Sequence, residues 1–404
     1  MNSGAFFDRP ASSRPPGQGR GLLTIIAVFV ALTLLWQAAG LITDWYWFQE
    51  VGYERVFLVG LTTQVKTALC FGAVFFLVFF GNLFLARSLS RKSSFEKREG
   101  MIAFPPWKMG DRAIGGFILL ISLIFSLFAA LQGAARWESV LRFLNATPFG
   151  TPDPLFQRDI AFYVFQLPLL NDLYGWLMAV LVLTLLATGS VYLLRRAFVF
   201  LPPKTLHVSP AARRHLVALA AAMFFLGVFG FWLSLSDLLF EKRGVVFGPG
   251  YTDVTTQVWV LKALMGLSAV AGAAFIVNLF RRDWRIPVAA VAVFIAFLVV
   301  GRGMYPAFVQ KFKVVPNEIV LEKPYLEWNI RYTRLAYNLD NMEDRDFPAE
   351  ENLTAADLKR NDRTVKNIRL WNHAPLLKTY SQVQEIRTYY KFRDVDNDRY
   401  MVNG

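Results

Sequence analysis

The sequence predicts an all-α bundle of about seven transmembrane helices, followed by the start of a mixed α/β domain outside the cytoplasm. Of the 404 residues, 55% are hydrophobic and only 18% are charged, whereas about 25% are charged in an ordinary soluble domain. The apolar residues form runs close to the roughly 20 residues that a helix needs to cross the membrane. After about residue 303 the composition changes, because the last 102 residues carry 16 basic and 15 acidic side chains.

Seven segments meet or approach the length of a membrane span and together define a transmembrane domain at residues 21–307. Each of the first five contains an uncharged run of at least 20 residues. The sixth reaches full length if Lys262 snorkels to the interface, and the seventh if it continues past Arg302. The predicted spans are residues 21–43, 65–86, 113–135, 173–194, 216–236, 258–280 and 286–307.

The short loops carry an uneven charge that predicts the orientation. The N-terminal segment and the loops on its side of the membrane hold 18 Lys and Arg residues, whereas the opposite loops hold 8. Positively charged loops stay in the cytoplasm, so the N-terminus is predicted to be cytoplasmic and the C-terminal domain extracytoplasmic. The loops on the inner side account for the whole formal net charge of +13. This excess therefore faces anionic lipids, and no nucleic-acid partner is predicted.

Residues 1–20 precede the first span and are rich in Pro and Gly, which predicts a disordered cytoplasmic leader. The first span is predicted to be retained rather than cleaved. Its apolar stretch exceeds the core of about 7 to 15 residues that a signal peptide carries.

Residues 308–404 are predicted to form the extracytoplasmic α/β domain. Helix signals follow Pro324 and Pro375, and Thr354 with Asp357 makes a capping-box pattern. The predicted strands are Glu318–Leu321, Thr388–Phe392 and Arg399–Val402. Because the chain stops within an apparent hairpin, a truncated C-terminus is expected.

Acidic and basic side chains give two candidate sites. Asp394, Asp396 and Asp398 alternate as at the opening of a calcium loop. Arg399 takes the place of the turn glycine, which favours a solvated hairpin turn and leaves calcium as the alternative. Arg302 is a charge within the last predicted span; it either snorkels to the outer interface or pairs with an outer carboxylate such as Asp237.

The histidines and the motifs give no support for an enzyme. His207 and His215 are predicted in a cytoplasmic loop and His373 in the outer domain, so the three cannot share a metal or a catalytic triad. The sequence contains no G-x-S-x-G, H-E-x-x-H or Walker-type motif. The catalytic residues, if any, are unknown.

Three stretches carry a resemblance to a known family: PDPLFQRDIAFYVFQLPLL at residues 152–170, VPNEIVLEKPYLEWNIRYTRLAYNLD at 315–340, and NIRLWNHAPLLKTYSQVQEIRTYYKFRDVDNDRY at 367–400. They closely resemble the uncharacterised protein family 0182, which consists of bacterial multi-pass membrane proteins. The resemblance implies a plasma-membrane protein with a large extracytoplasmic part that continues beyond residue 404. It implies no activity. Gln157 and Ala161 stand where glycines are usual in the family.

The function predicted first is a membrane-anchored scaffold or envelope-interaction protein that presents an extracytoplasmic domain to another envelope protein. A channel or transporter for a neutral or lipidic substrate is the second hypothesis, and a membrane-bound enzyme is the third. The sequence leaves the substrate, the partner and the oligomeric state open.

Overall fold

The computed structural model describes residues 18–91, 110–195, 197–201, 205–242, 247–281, 283–347, 353–369, 372–385, 389, 391–396 and 400–403. These residues divide into two compact units, of which the first ends at Ala336 and the second begins at Tyr337.

The first unit is built from long helices that follow the apolar runs of the sequence. Its elements are α1 (Gln18–Glu50), α2 (Glu54–Arg91), α3 (Asp111–Ala134), α4 (Trp137–Leu144), α5 (Leu167–Leu194), β1 (Phe198–Leu201), β2 (Thr205–Val208), α6 (Pro210–Asp237), α7 (Val258–Arg281), α8 (Arg285–Phe297), α9 (Tyr305–Val309) and α10 (Glu318–Ala336). Three π-helical turns and one longer π-helical segment lie at Phe162–Gln166, Asp253–Gln257, Leu298–Met304 and Gln310–Val314.

Among the described residues, six helices are long and apolar enough to cross a membrane. They are Glu54–Ser90, Asp111–Ala134, Phe162–Leu194, Pro210–Phe240, Asp253–Arg281 and Arg285–Ala336. The predicted number of seven is therefore one more than the number found. Helix α1 covers the first predicted span, but several of its side chains lie outside the described residues and it is not among the six.

Close helix packing follows from small residues at the crossing points. Gly133 on α3 faces Phe71 on α2, where an added Cβ would lie 2.6 Å from the Phe71 Cβ. Ser268 on α7 donates a hydrogen bond of 2.6 Å to the Phe224 carbonyl on α6. Such contacts bring helices together in an apolar environment where the hydrophobic effect cannot. A cluster of aromatic side chains fills the space between α2 and α5, with Phe71 against Trp176 at 4.7 Å between ring centroids.

Polar contacts tie the helix ends together on each side of the bundle. We call the end that carries residues 135–161 and 238–253 the loop side, and the opposite end, which carries residues 195–209, the basic side. On the loop side the Asn171 amide donates to Asp237 over 2.7 Å. On the basic side Arg195 pairs with Asp111 over 2.6 Å.

Several secondary-structure predictions for the C-terminal part are wrong. The predicted strand Glu318–Leu321 is the first turn of α10, because the helical segment that begins at Arg285 continues through it and overrides the strand preference of Ile319 and Val320. The predicted strands near residues 390 and 400 lie partly outside the described residues, and their described residues are not in strands. No mixed α/β domain is seen in the described part of residues 308–404.

The strands that do form are β1 and β2, an antiparallel hairpin on the basic side with Phe198 paired to Val208. This hairpin was not predicted.

The second unit contains the short helices α11 (Ala355–Arg360), α12 (Asp362–Lys366) and α13 (His373–Gln384). The capping box predicted at Thr354 and Asp357 is confirmed: the Thr354 side chain accepts from the Asp357 N–H, and the Asp357 carboxylate accepts from the Thr354 N–H. The helix signal at Pro375 is likewise confirmed by α13.

Candidate binding sites on the loop side

A compact turn built around two aspartates connects α4 to α5. The buried Asp153 carboxylate accepts hydrogen bonds from the N–H groups of Leu155, Phe156 and Arg158 and from the Tyr163 hydroxyl, at 2.6 to 2.8 Å. These contacts satisfy backbone donors that would otherwise be buried without partners. Asp153 therefore organises this turn.

Asp159 completes the same turn from the exposed side. Its carboxylate accepts from the N–H groups of Phe149, Gly150 and Ala161 at 2.8 to 3.0 Å. These three donors stabilise the charged form and hold the pKa of Asp159 below its usual range. Gln157, at a position where glycine is usual in the resembling family, has a φ of 57°, a left-handed conformation that glycine adopts without strain.

An open groove, which we call the aromatic groove, lies beside this turn. It has a volume of about 330 Å³. Its aromatic lining is Tyr163, Phe240, Phe247, Tyr325, Trp328 and Tyr332.

The two walls of the aromatic groove are joined by a hydrogen bond. The Tyr332 hydroxyl of α10 donates to the Pro152 carbonyl over 2.7 Å. Trp328 lies one helical turn before Tyr332 with 6.2 Å between the ring centroids. The groove is therefore formed by parts of the first two family-like stretches, which are far apart in sequence.

A second site, which we call the polar cavity, is lined in part by Gly250, Thr252 and Asp253 and has a volume of about 200 Å³. Two buried carboxylates line it, Asp253 and Glu322, exposed by 5% and 3%. Glu322 accepts from the Tyr251 N–H, with both oxygens within 3.2 Å of the nitrogen. The Thr252 hydroxyl donates to the Gln310 side-chain carbonyl. Arg302 completes the lining and is exposed.

π-Helical segments supply much of the polar cavity. Asp253, Arg302 and Gln310 each lie in a different one. Segments of this kind are rare and occur frequently at functional sites. Arg302 and Glu322 are 20 residues apart, which would separate them by about 30 Å in a straight helix. Because both line one small cavity, the helical segment bends between them.

The structure describes four of the site residues predicted from the sequence, Asp237, Arg302, Asp394 and Asp396. Asp237 accepts from Asn171, and Arg302 lies near enough to interact with Asp237 electrostatically. In the described part of the chain, no hydrogen bond or ion pair joins the two. Asp394 and Asp396 are exposed, and Asp398 lies outside the described residues. The calcium site and the Arg302–Asp237 pair stay predictions.

The basic side carries a buried polar network that the sequence did not predict. His215, assigned to a cytoplasmic loop, is in fact buried within α6. Its Nε2 lies 2.8 Å from the Asn82 Oδ1 of α2, and its Nδ1 lies 3.0 Å from the Tyr192 hydroxyl of α5. The Asn82 amide nitrogen donates to the Val78 carbonyl, so Nε2 carries the proton donated to Asn82. The sequence contains a signal for the start of this helix, because Ser209 is a favourable N-cap residue and Pro210 a favourable first residue.

Comparisons with known proteins agree with the resemblance found in the sequence. The model of the uncharacterised protein family UPF0182 matches residues 21–404. A UPF0182 protein of Trichlorobacter lovleyi is 40% identical over 380 residues, which are 94% of this chain and 42% of the relative. A UPF0182 protein of Geobacter sulfurreducens is 38% identical over 399 residues, which are 96% of this chain and 44% of the relative.

The chain spans less than half the length of these curated relatives. No solved structure matches the chain. The match of the family model over nearly the whole sequence shows that the chain belongs to the uncharacterised protein family UPF0182.

Proposed function

We propose that the protein is a scaffold or envelope-interaction protein of the bacterial plasma membrane, with its basic side in the cytoplasm and its loop side outside. The aromatic groove is the observation that carries this proposal. Tyr and Trp bury a large apolar area and still offer a polar group to a partner, so they dominate protein recognition sites. The proposed ligand is a peptide segment of another envelope protein.

The construction of the groove supports a preformed binding surface. Asp153 fixes the turn on one wall through four hydrogen bonds, and Tyr332 ties the other wall to Pro152. A surface held in its binding shape loses less conformational entropy when a partner binds. The groove also offers the Asn329 amide and the Tyr325 hydroxyl for hydrogen bonds with a peptide.

Site-specific photocrosslinking in cells tests this proposal. A photoreactive phenylalanine analogue is placed at Asn329, which lines the groove, and at Ile330, an exposed neighbour on α10 that does not line it. The expected result is one discrete protein adduct from position 329 that is absent from position 330. The same adduct from both positions, or no protein adduct from position 329, contradicts the proposal.

A transporter for a lipidic substrate is the second candidate, because the lining of the groove is mainly apolar and Leu239, Phe240 and Val254 belong to the loop-side ends of spanning helices. Lipid adducts from position 329, together with lipid movement in proteoliposomes, would favour it. An enzyme is third and would require turnover that a single acidic substitution abolishes.

A further inference from the structure

We propose that the polar cavity and the apolar stripe beside it form a specific site for a phospholipid whose headgroup carries a phosphate and a primary ammonium. This site shares no lining residue with the aromatic groove. It is therefore independent of the function proposed above.

The cavity offers both signs of charge to one ligand. Arg302 is exposed and has no hydrogen bond or ion pair within the described ranges. A guanidinium matches the geometry of a phosphate and binds it through paired hydrogen bonds. Asp253 and Glu322 line the same cavity and are buried. A carboxylate has about four acceptor positions, and the structure gives Glu322 the Tyr251 N–H as donor. Glu322 can therefore also accept from an ammonium group.

The order of these charges along the membrane normal matches that of a phospholipid headgroup. Arg302 lies 16 residues after the start of the last predicted span, which is roughly 24 Å along a helix and close to the outer edge of about 30 Å of hydrocarbon. Asp253 lies 5 residues before the predicted span that begins at residue 258, roughly 8 Å beyond it along a helix. In a bound phospholipid the phosphate is likewise nearer the acyl chains than the ammonium is.

An apolar surface for the acyl chains adjoins the cavity. Val300, Met304, Phe308 and Phe312 are spaced four residues apart and expose 54% to 63% of their surface. This spacing places them in one stripe along the helical segment, where they line an open groove of about 500 Å³. Ala307 lines both this groove and the polar cavity. One lipid can therefore occupy the two together.

The carboxylates also have a structural role that does not explain the cavity. Asp253 lies in the first turn of the helix that leads into α7, where negative charge is favourable, and Glu322 of α10 accepts from the Tyr251 N–H at the same helix end. That role accounts for their contacts with Tyr251 and Gly250. It accounts neither for Arg302 facing the same cavity nor for the adjoining stripe.

Two variants test the site without removing a carboxylate that stabilises the fold. Arg302→Gln removes the guanidinium group that is proposed to bind the lipid phosphate. Gly303→Val fills the cavity, because a Cβ at Gly303 meets no atom within 4 Å and the fold has room for it. Gly266→Val is the matched control: a Cβ there also meets nothing within 4 Å, and Gly266 lies on α7 away from the cavity.

Lipid binding to the purified protein in detergent is measured by native mass spectrometry with palmitoyl-oleoyl phosphatidylethanolamine, phosphatidylglycerol and phosphatidylcholine. We expect phosphatidylethanolamine to bind about tenfold more tightly than the other two, which is the effect of one charge-assisted hydrogen bond. Arg302→Gln should bind all three lipids about tenfold more weakly, because all three carry the phosphate. Gly303→Val should bind them more weakly as well, and Gly266→Val should keep both the affinity and the preference.

Three results would overturn the proposal. If phosphatidylglycerol binds as tightly as phosphatidylethanolamine or more tightly, the site recognises only the negative charge and not the ammonium group. An unchanged affinity for phosphatidylethanolamine in Arg302→Gln would exclude the phosphate contact. Full competition by free phosphoethanolamine at the same concentration would show that the headgroup alone, rather than a lipid, is the ligand.

Discussion

The two ends of the helix bundle use buried polar side chains differently. On the loop side, carboxylates of Asp153 and Glu322 accept backbone N–H groups and so stabilise turns and a helix end. On the basic side, neutral groups of Asn82, Tyr192 and His215 connect three helices to one another. The charged acceptors of the loop side stabilise irregular backbone, and both candidate binding sites lie next to this backbone. The neutral contacts of the basic side join helices to one another.

The largest loss of stability is expected from a substitution of Asp153. Asp153→Ala removes the acceptor for three N–H groups and the Tyr163 hydroxyl, and should destabilise the protein by at least about 3 kcal/mol, since unsatisfied buried donors cost about 1–3 kcal/mol each. The measurement is the thermal unfolding midpoint in detergent. Asp346→Ala, at an exposed carboxylate, is the control and should change little. Equal midpoints for the two variants would contradict the role assigned to Asp153.

Glu322 should have the second largest effect. Glu322→Ala leaves the Tyr251 N–H without its acceptor and should cost about 2 kcal/mol, whereas Glu322→Gln keeps an acceptor oxygen and should cost less. Glu327→Ala on the same helix breaks only an exposed ion pair with Lys323 and should cost under about 1 kcal/mol. Unfolding midpoints of the three variants give the order; a Glu327 effect as large as that of Glu322 would refute it.

The sequence predicted local features of the fold well, because apolar runs and helix caps act over a few residues. Each of the second to seventh predicted spans overlaps one of the six long apolar helices, and the Thr354 capping box is present. The candidate sites depend instead on distant partners: 71 residues separate Glu322 from Tyr251, and 180 separate Tyr332 from Pro152. Sequence periodicity contains no information about such pairs. The prediction of a strand at Glu318–Leu321 was wrong because the helical segment before it, rather than the strand preference of its own residues, decides its conformation.

The network on the basic side should have a smaller effect. A double-mutant cycle of His215→Leu and Asn82→Leu should give a coupling energy of about 0.6 kcal/mol and no more than about 1.7 kcal/mol, the mean and the maximum measured for hydrogen bonds between membrane helices. The measurement is again the unfolding midpoint in detergent. A coupling energy near zero would mean that the Nε2–Asn82 contact does not stabilise the bundle.

A substitution of Asp159 should change the stability least, and only at acidic pH. Its folded-state pKa lies below the ordinary value of 3.8, so its contribution to stability is present above that value and is lost as the pH falls through the folded pKa. Asp159→Asn removes the part of the acid dependence that Asp159 contributes. Unfolding midpoints between pH 2 and pH 6 compare the two proteins. The same acid dependence in both would exclude Asp159 as its source.

The comparison of the two ends depends on which of them faces the cytoplasm. Single cysteines at Thr147 on the loop side and Arg112 on the basic side, both exposed, are treated in intact cells with a membrane-impermeant thiol reagent after Cys70 is replaced by alanine. Detergent lysis controls for the reactivity of both. The account predicts that Thr147 labels in intact cells and that Arg112 labels only after lysis. Labelling of Arg112 with protection of Thr147 would place the groove in the cytoplasm and contradict the proposed envelope function.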